Sequence, residues 1–166
     1  MELIIQEIIE KISSSFEKEL ENLIRERRDI SEFILATKKT LDEIGVTLVA
    51  EALETIDEAY RNSKDRKRNW TVKEKAAEKT LMTIFGEVRY ERTYYKNKKT
   101  GEYSYLSDEA VGIKAHDKMD ASLKARLIEE AVFMPYSRSA KEAAEAVDLT
   151  SQTVMNSIRE LGSVDN

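Results

Sequence analysis

The chain has 166 residues, with 27 Lys+Arg against 32 Asp+Glu, a single His, a single Pro and no Cys. That length suffices for one compact domain or two small ones, and the composition provides neither a disulfide framework nor a Cys/His zinc site of the usual ligand count. No apolar run approaches the ~18 to 20 residues a membrane helix needs, and the acidic start Met1-Glu2-Leu3 lacks the basic flank of a secretory signal, so a cytoplasmic protein without membrane contact is expected.

The net charge of −5 is a misleading average. Residues 1 to 60 carry 7 basic and 15 acidic residues, residues 61 to 99 carry 13 and 5, and residues 100 to 166 carry 7 and 12, so the blocks stand at −8, +8 and −5. A basic middle is hidden between two acidic ends, and local charge matters more than the total to a polyanionic partner.

In chain order, Ile5, Ile8, Ile9, Ile12, Phe16, Leu20 and Leu23 recur at helical steps and predict an amphipathic helix reaching about Arg27. Asp29-Ile30-Ser31-Glu32 has capping-box spacing. Phe33, Ile34, Leu41, Ile44, Leu48, Ala52, Ile56 and Tyr60 then continue a second, longer face, which Gly45 loosens by about 1 kcal/mol relative to Ala. The two helices can pair as an antiparallel hairpin. Their stripes serve either an internal core or pairing between chains, and a helix of some 30 residues exceeds what a small neighbouring domain can cover, which predicts a homodimer through these helices.

Arg61, Lys64, Arg66, Lys67 and Arg68 end the helical pattern as a solvated junction before Asn69 and Trp70. From Thr80 to Tyr95 the periodicity switches to two: Val88, Tyr90, Arg92 and Tyr94 share one face, and Arg89, Glu91, Thr93 and Tyr95 the other. Gly86-Glu87 suits a two-residue hairpin turn, and Asn97-Lys98-Lys99-Thr100-Gly101 a second turn before a strand from Glu102 to Leu106. Arg89, Arg92, Lys96, Lys98 and Lys99, set among tyrosines, can lie along phosphates. Protection of exposed strand edges by the same charges is the reading that needs no ligand.

Met119 to Met134 gives a third helix, with Leu123, Leu127, Ala131 and Phe133 or Met134 as its apolar stripe and Pro135 as its stop. Beyond it, Ala140, Ala143, Ala144 and Val147 form an apolar stripe that Asp148-Leu149-Thr150 interrupts and Val154, Ile158 and Leu161 resume, the spacing of a helix-turn-helix. Asp148 stands where such motifs usually carry Gly and tolerates a positive φ better than most residues. Leu149 plugs the core and Thr150 caps the second helix. Gln152, Asn156 and Arg159 fall opposite the apolar face at i, i+4, i+7. The amides of Gln152 and Asn156 can bond adenine in two places, while Arg138 and Arg159 suit phosphate. The candidate DNA-contacting set here is Arg138, Lys141, Thr150, Ser151, Gln152, Thr153, Asn156 and Arg159, and a plain helical hairpin is its bland alternative.

The run Thr83-Ile84-Phe85-Gly86-Glu87-Val88-Arg89-Tyr90-Glu91-Arg92-Thr93-Tyr94-Tyr95, then Lys99-Thr100-Gly101-Glu102-Tyr103, Leu106-Ser107-Asp108-Glu109 and Gly112-Ile113, resembles the amino-terminal part of the ISLre-type bacterial insertion-sequence transposases, long catalogued as an uncharacterised protein family. The resemblance implies cut-and-join chemistry on DNA by an RNase H-like, Mg²⁺-binding domain placed after the helix-turn-helix. This chain stops at Asn166, so the resemblance implies a non-catalytic amino-terminal fragment, and no enzymatic activity or cofactor is expected of it.

The residues agree with that expectation. No nucleophile-base constellation or glycine-rich phosphate loop is visible. His116 reads as a surface loop residue. Asp117 and Asp120 read as helix caps rather than as metal ligands with Asp108 and Glu109. The expected fold is mainly α with a small antiparallel β-sheet: an acidic helical hairpin (1–68), a basic β region (69–113) and a trihelical helix-turn-helix region (114–166). The expected function is recognition of double-stranded DNA at insertion-element ends, with no small-molecule substrate. The alternatives are a helical interaction module that binds no DNA and a decayed remnant.

Overall fold

A computed structural model of the chain describes residues 2–26, 29–143 and 149–162. It is mainly helical with one three-stranded antiparallel sheet, and it divides into two compact units at Gly45/Val46.

The first unit holds helix α1 (Glu2–Arg25) and the start of helix α2 (Ile30–Asn62). Asp29 opens α2: its carboxylate accepts the Ser31 N–H (2.9 Å) and its carbonyl the Glu32 N–H (3.0 Å), which satisfies donors the first turn leaves without partners. The helices run antiparallel, since Lys11 meets Glu43 (2.8 Å), Ser15 meets Thr40 (2.7 Å) and the Phe16 ring stands edge-on to Phe33 at 6.2 Å. α2 passes through Gly45 unbroken. Most of the apolar stripe expected on α1 is not used inside this unit. Ile5, Ile9, Ile12, Phe16 and Leu20 are exposed, Phe16 at 54 %, and only Ile8 and Leu23 are half-buried. On α2, Ile30, Ile34, Leu35 and Leu41 are exposed as well.

The second unit begins with the carboxyl-terminal half of α2, continues through the short helix α3 (Lys64–Asn69), strands β1 (Trp70–Thr83), β2 (Gly86–Asn97) and β3 (Tyr103–Ser104), and ends with helices α4 (Leu106–Ala110), α5 (Ala121–Phe133), α6 (Tyr136–Ala143) and α7 (Ser151–Gly162). A boundary near residue 68 does not divide α2 from the sheet. Leu53 is buried with Leu81, Val88 and Tyr90, and Val46, Val49, Ala50 and Ile113 pack around them, so residues 46–62 belong with the strands. α3 forms because Ser63 accepts the Arg66 N–H and caps it.

The strands depart from expectation in three places, the last being the strand expected from Glu102 to Leu106, which is only β3 because Leu106 already opens α4. β1 starts at Trp70, ten residues before the expected Thr80, because irregularities at Val72/Glu74 and Glu74/Ala77 break the period-two pattern that would have revealed it. The hairpin turn is Ile84-Phe85 rather than Gly86-Glu87: Thr83 pairs with Gly86, and the Thr83 hydroxyl donates to the Gly86 carbonyl and accepts the Phe85 N–H. Gly86 instead opens β2 at φ 135°, a backbone angle that side chains other than hydrogen rarely adopt. The second turn matches expectation. The Asn97 side chain accepts the Lys99 and Thr100 N–H groups, and Gly101 takes φ 78°.

A second core joins α5, α6 and α7 through Met119, Leu123, Leu127, Ala140, Leu149 and Val154, with Met82 of β1 packed against it. Asp120 caps α5 as expected, accepting the Ser122 and Leu123 N–H groups, while Asp117 accepts the Lys114 N–H within the preceding loop. Met82 also makes a short parallel bridge with Met119: its N–H donates to the Lys118 carbonyl (2.8 Å) and its carbonyl accepts the Asp120 N–H (2.9 Å).

Candidate nucleic-acid interface

α7 is held by its apolar side. Val154 is fully buried, Ile158 packs against the same core, and Ser157 donates to the Thr153 carbonyl. Thr150 begins the helix: its carbonyl accepts the Thr153 and Val154 N–H groups, and its hydroxyl lies 3.3 Å from the Thr153 nitrogen as a further acceptor. With that side fixed, Ser151, Gln152, Asn156 and Arg159 are all exposed, and Thr153 is half-buried. Gln152 Nε2 donates to Asn156 Oδ1 at 3.0 Å, which aligns the two amides one turn apart on the outer face. On α6, Arg138 and Lys141 are exposed, with Arg138 3.7 Å from Glu142. Arg126 of α5 donates to the Glu142 carbonyl and ties the two helices together. Ala144, Val147 and Asp148, which carry the expected end of one helix and the turn, lie outside the described residues, as does the side chain of Leu161.

The basic hairpin divides. Arg89 is exposed beside Glu87 (2.6 Å), and Lys98 and Lys99 are exposed in the turn, Lys98 donating to the Lys67 carbonyl at 2.7 Å. Lys96 is half-buried, its ammonium 5.4 Å from the centre of the Tyr103 ring. Arg92 is different. Only 7 % exposed, it is paired with the buried Asp108 and its guanidinium lies 3.5 Å from the Tyr105 ring centre, so its charge is committed inside the fold and it leaves the phosphate-facing set.

Around Arg92 runs a polar network that sequence reading missed. Asp108 accepts from Arg92 and from the Tyr90 hydroxyl (2.9 Å). Asp57 of α2 is buried and accepts the Thr93 N–H (2.9 Å), the Thr93 hydroxyl (2.6 Å) and the Ser107 hydroxyl (2.9 Å), linking α2, β2 and α4. Lys79 donates to the Lys114 and Ala115 carbonyls, and burial, reinforced by nearby Arg92, lowers its pKa. Burial, followed by the charge of Asp108, pushes the Tyr90 hydroxyl far above the ordinary tyrosine range. Period-two alternation gave no hint of this network, because its partners come from segments 16 to 50 residues away.

Beyond Arg92 on the same face, Tyr94 stacks on Tyr103 (centroids 5.4 Å) and lies 4.7 Å from Tyr105. These rings border a recess of about 430 Å³ that also touches Ser104, Glu109 and His116. Among the described residues no group of three His, Cys, Asp or Glu side chains is arranged to hold a metal ion, and no helix is long and apolar enough to cross a membrane.

The arrangement defines a mainly helical protein in which a short antiparallel sheet and a trio of helices share one unit. The chain belongs to an uncharacterised protein family, UPF0236, whose model matches residues 8–166. It is 38 % identical over 144 residues to UPF0236 protein TTE2489 of Caldanaerobacter subterraneus subsp. tengcongensis, an alignment covering 87 % of this chain and 31 % of that protein. UPF0236 protein TTE0610/TTE0881/TTE1053/TTE2432 of the same organism is 38 % identical over 87 % of this chain and 30 % of its own length. A third relative there, whose name joins eleven designations from TTE0033 to TTE2212, is 33 % identical over 98 % of this chain and 35 % of its length. The chain thus spans about a third of the length of the curated relatives it matches. No solved structure matches it.

Proposed function

We propose that this chain is the DNA-recognition part of an insertion-sequence transposase, and that it binds element ends as double-stranded DNA through α7 and the basic hairpin. The observation that carries the reading is the α7 face. Val154 and Ile158 fix one side in the core, while Gln152, Asn156 and Arg159 stand exposed on the other. A helix so held, following α6, is a helix-turn-helix recognition helix, with Gln152 and Asn156 reading base edges in the major groove. Arg138, Lys141 and Arg159, with Arg89, Lys96, Lys98 and Lys99, contact phosphate, and Thr150, Ser151 and Thr153 line the approach. The joined designations in two relatives' names are the pattern that a gene present in several copies would give, as a mobile element is. Catalysis and a cytoplasmic location belong to the same proposal, the former assigned elsewhere than to these residues.

The test is titration of the purified chain against a labelled duplex from the end of its own genomic element, with a shuffled duplex as control, at two salt concentrations. Selective binding that weakens steeply with salt is expected, since each neutralised phosphate contributes about −0.9 to the log–log slope. Equal binding to both duplexes, or none, rejects the proposal.

A specific observation favours a second reading, a helical assembly module. α1 and α2 leave Ile5, Ile9, Ile12, Phe16 and Leu20 with Ile30, Ile34, Leu35 and Leu41 exposed, and exposed apolar patches mark interaction surfaces. The two readings are compatible if pairing brings two DNA-binding copies together, and separable because apolar pairing resists salt.

A further inference from the structure

The tyrosines of the sheet suggest a ligand distinct from duplex DNA. We propose that the exposed Tyr103 ring, backed by Tyr94 and Tyr105, is a stacking platform for an unpaired base of single-stranded DNA. The inference deepens the DNA reading and rests on it for the polymer's identity.

Three rings converge beside β3: Tyr103 stacks on Tyr94 at an interplanar angle of 21°, and Tyr105 lies 4.7 Å from Tyr94, tilted by 34°. Tyr103 is 51 % exposed although β3, its strand, is only two residues long. A large aromatic face left in water beside other rings is a platform for a flat ligand, and every base has a π-face to offer. Bases in an intact duplex have both faces covered by their neighbours, so only an unpaired strand can use the platform.

Charge orients the ligand. Lys96 sits opposite Tyr103 in the strand register with its ammonium 5.4 Å from that ring, and Lys98 and Lys99 follow in the exposed turn, a cationic side for the phosphates. On the other side lies the recess of about 430 Å³, within the ~300–1,000 Å³ typical of small-ligand sites. Its wall carries the Glu109 carboxylate, which takes the Ser104 hydroxyl's hydrogen bond, repels phosphate and can accept from the exocyclic amine of a base. Phosphates therefore run over the lysines while base edges point into the recess. The platform is held from below by Arg92, clamped between Asp108 and the Tyr105 ring.

The experiment uses the full chain with a short single strand carrying one central fluorescent purine, its blunt duplex, and an RNA strand of the same sequence. Stacking quenches the purine, so single-strand binding with quenching is expected. Tyr103→Ala should weaken it about tenfold while Tyr103→Phe, which keeps the ring, stays within about twofold. Tyr103→Leu keeps apolar bulk without a π-face and should behave like Tyr103→Ala, which separates stacking from damage to the fold. Duplex binding without single-strand binding, or a single-strand affinity that Tyr103→Leu leaves unchanged, overturns the platform and leaves the duplex reading standing. Failure to bind any of the three nucleic acids overturns both, and tighter binding of RNA than of DNA overturns the assignment to DNA.

Discussion

Asp108 joins the most consequential contacts at the residue scale, because it is the acceptor for both a buried guanidinium and a buried phenol. Asp108→Ala leaves Arg92 charged, buried and unpaired, and should cost about 3 kcal/mol or more, read as a lowered urea midpoint. Removing Arg92 and Asp108 together, with apolar replacements of similar volume, should cost less than Asp108→Ala alone, since the desolvation penalty leaves with the pair. The tyrosines set the alkaline limit. Burial raises the pKa of Tyr90 and of Tyr95 above the unfolded value of about 10, so their contribution is present in full below that pH and is lost progressively as pH rises from there toward their raised folded-state values. Lys79, lowered by burial, acts in the other direction up to its unfolded value of about 10.4. Unfolding free energy measured in urea should therefore fall beyond about pH 10.5, and Tyr90→Phe should flatten the decline. An unchanged pH profile in that variant would assign the loss to other groups.

Among the elements, β1 carries the clearest strain. Ala76 adopts φ 55° at the irregularity between Glu74 and Ala77, a left-handed conformation that costs an L-residue roughly 1–2 kcal/mol. Ala76→Gly should raise stability by about 1 kcal/mol, offset in part by the greater freedom of glycine in the unfolded chain. Thermal unfolding would check this, and a lower melting temperature would count against it. The same irregularity explains what the sequence left hidden. Helices were legible because their stripes repeat cleanly: Leu123 and Leu127 in α5, and Val154 and Ile158 in α7, all face the core as their spacing implies. The two faces of β2 were legible as an alternation, but not which one is buried: Val88 and Tyr90 lie inside, and so do Thr93 and Tyr95 of the other face. The first ten residues of β1 were not, because its register shifts scramble alternation among Lys73, Glu74 and Lys75. The turn was misplaced for a related reason: glycine marks a positive φ without saying whether it sits inside the turn or, like Gly86, just after it. Arg92 looked like its exposed neighbour Arg89 because charge in a sequence carries no sign of a buried partner sixteen residues away.

For the whole molecule, the division of charge is as informative as the fold. The acidic block at −8 lies in the part that carries the helical hairpin, and the +8 block in the part that carries the sheet. Phosphate contact should thus be confined to the second unit, and Lys99→Ala should lower the salt dependence of duplex binding by about one contact while leaving sequence preference intact. Gln152→Ala should do the reverse, relaxing preference with little change in salt slope. Light scattering at micromolar concentration should give about twice the chain mass of 19.1 kDa, and Ile12→Glu with Phe16→Glu should return it to one, because each exposed apolar side chain stands to gain roughly 1.5–3 kcal/mol from burial. A single-chain mass for the unaltered protein would reject helix pairing. The Met82–Met119 bridge adds a constraint of another kind. Two main-chain bonds join the end of β1 to the segment that leads into α5, so the hairpin and the helix trio are tied at that point by backbone as well as by side chains. On the proposed DNA reading, this join makes the second unit a gauge of set jaw width: a base pair inserted between the stretches that the hairpin and α7 contact, which turns the helix by about a tenth of its repeat, should weaken binding without altering a single contacted base.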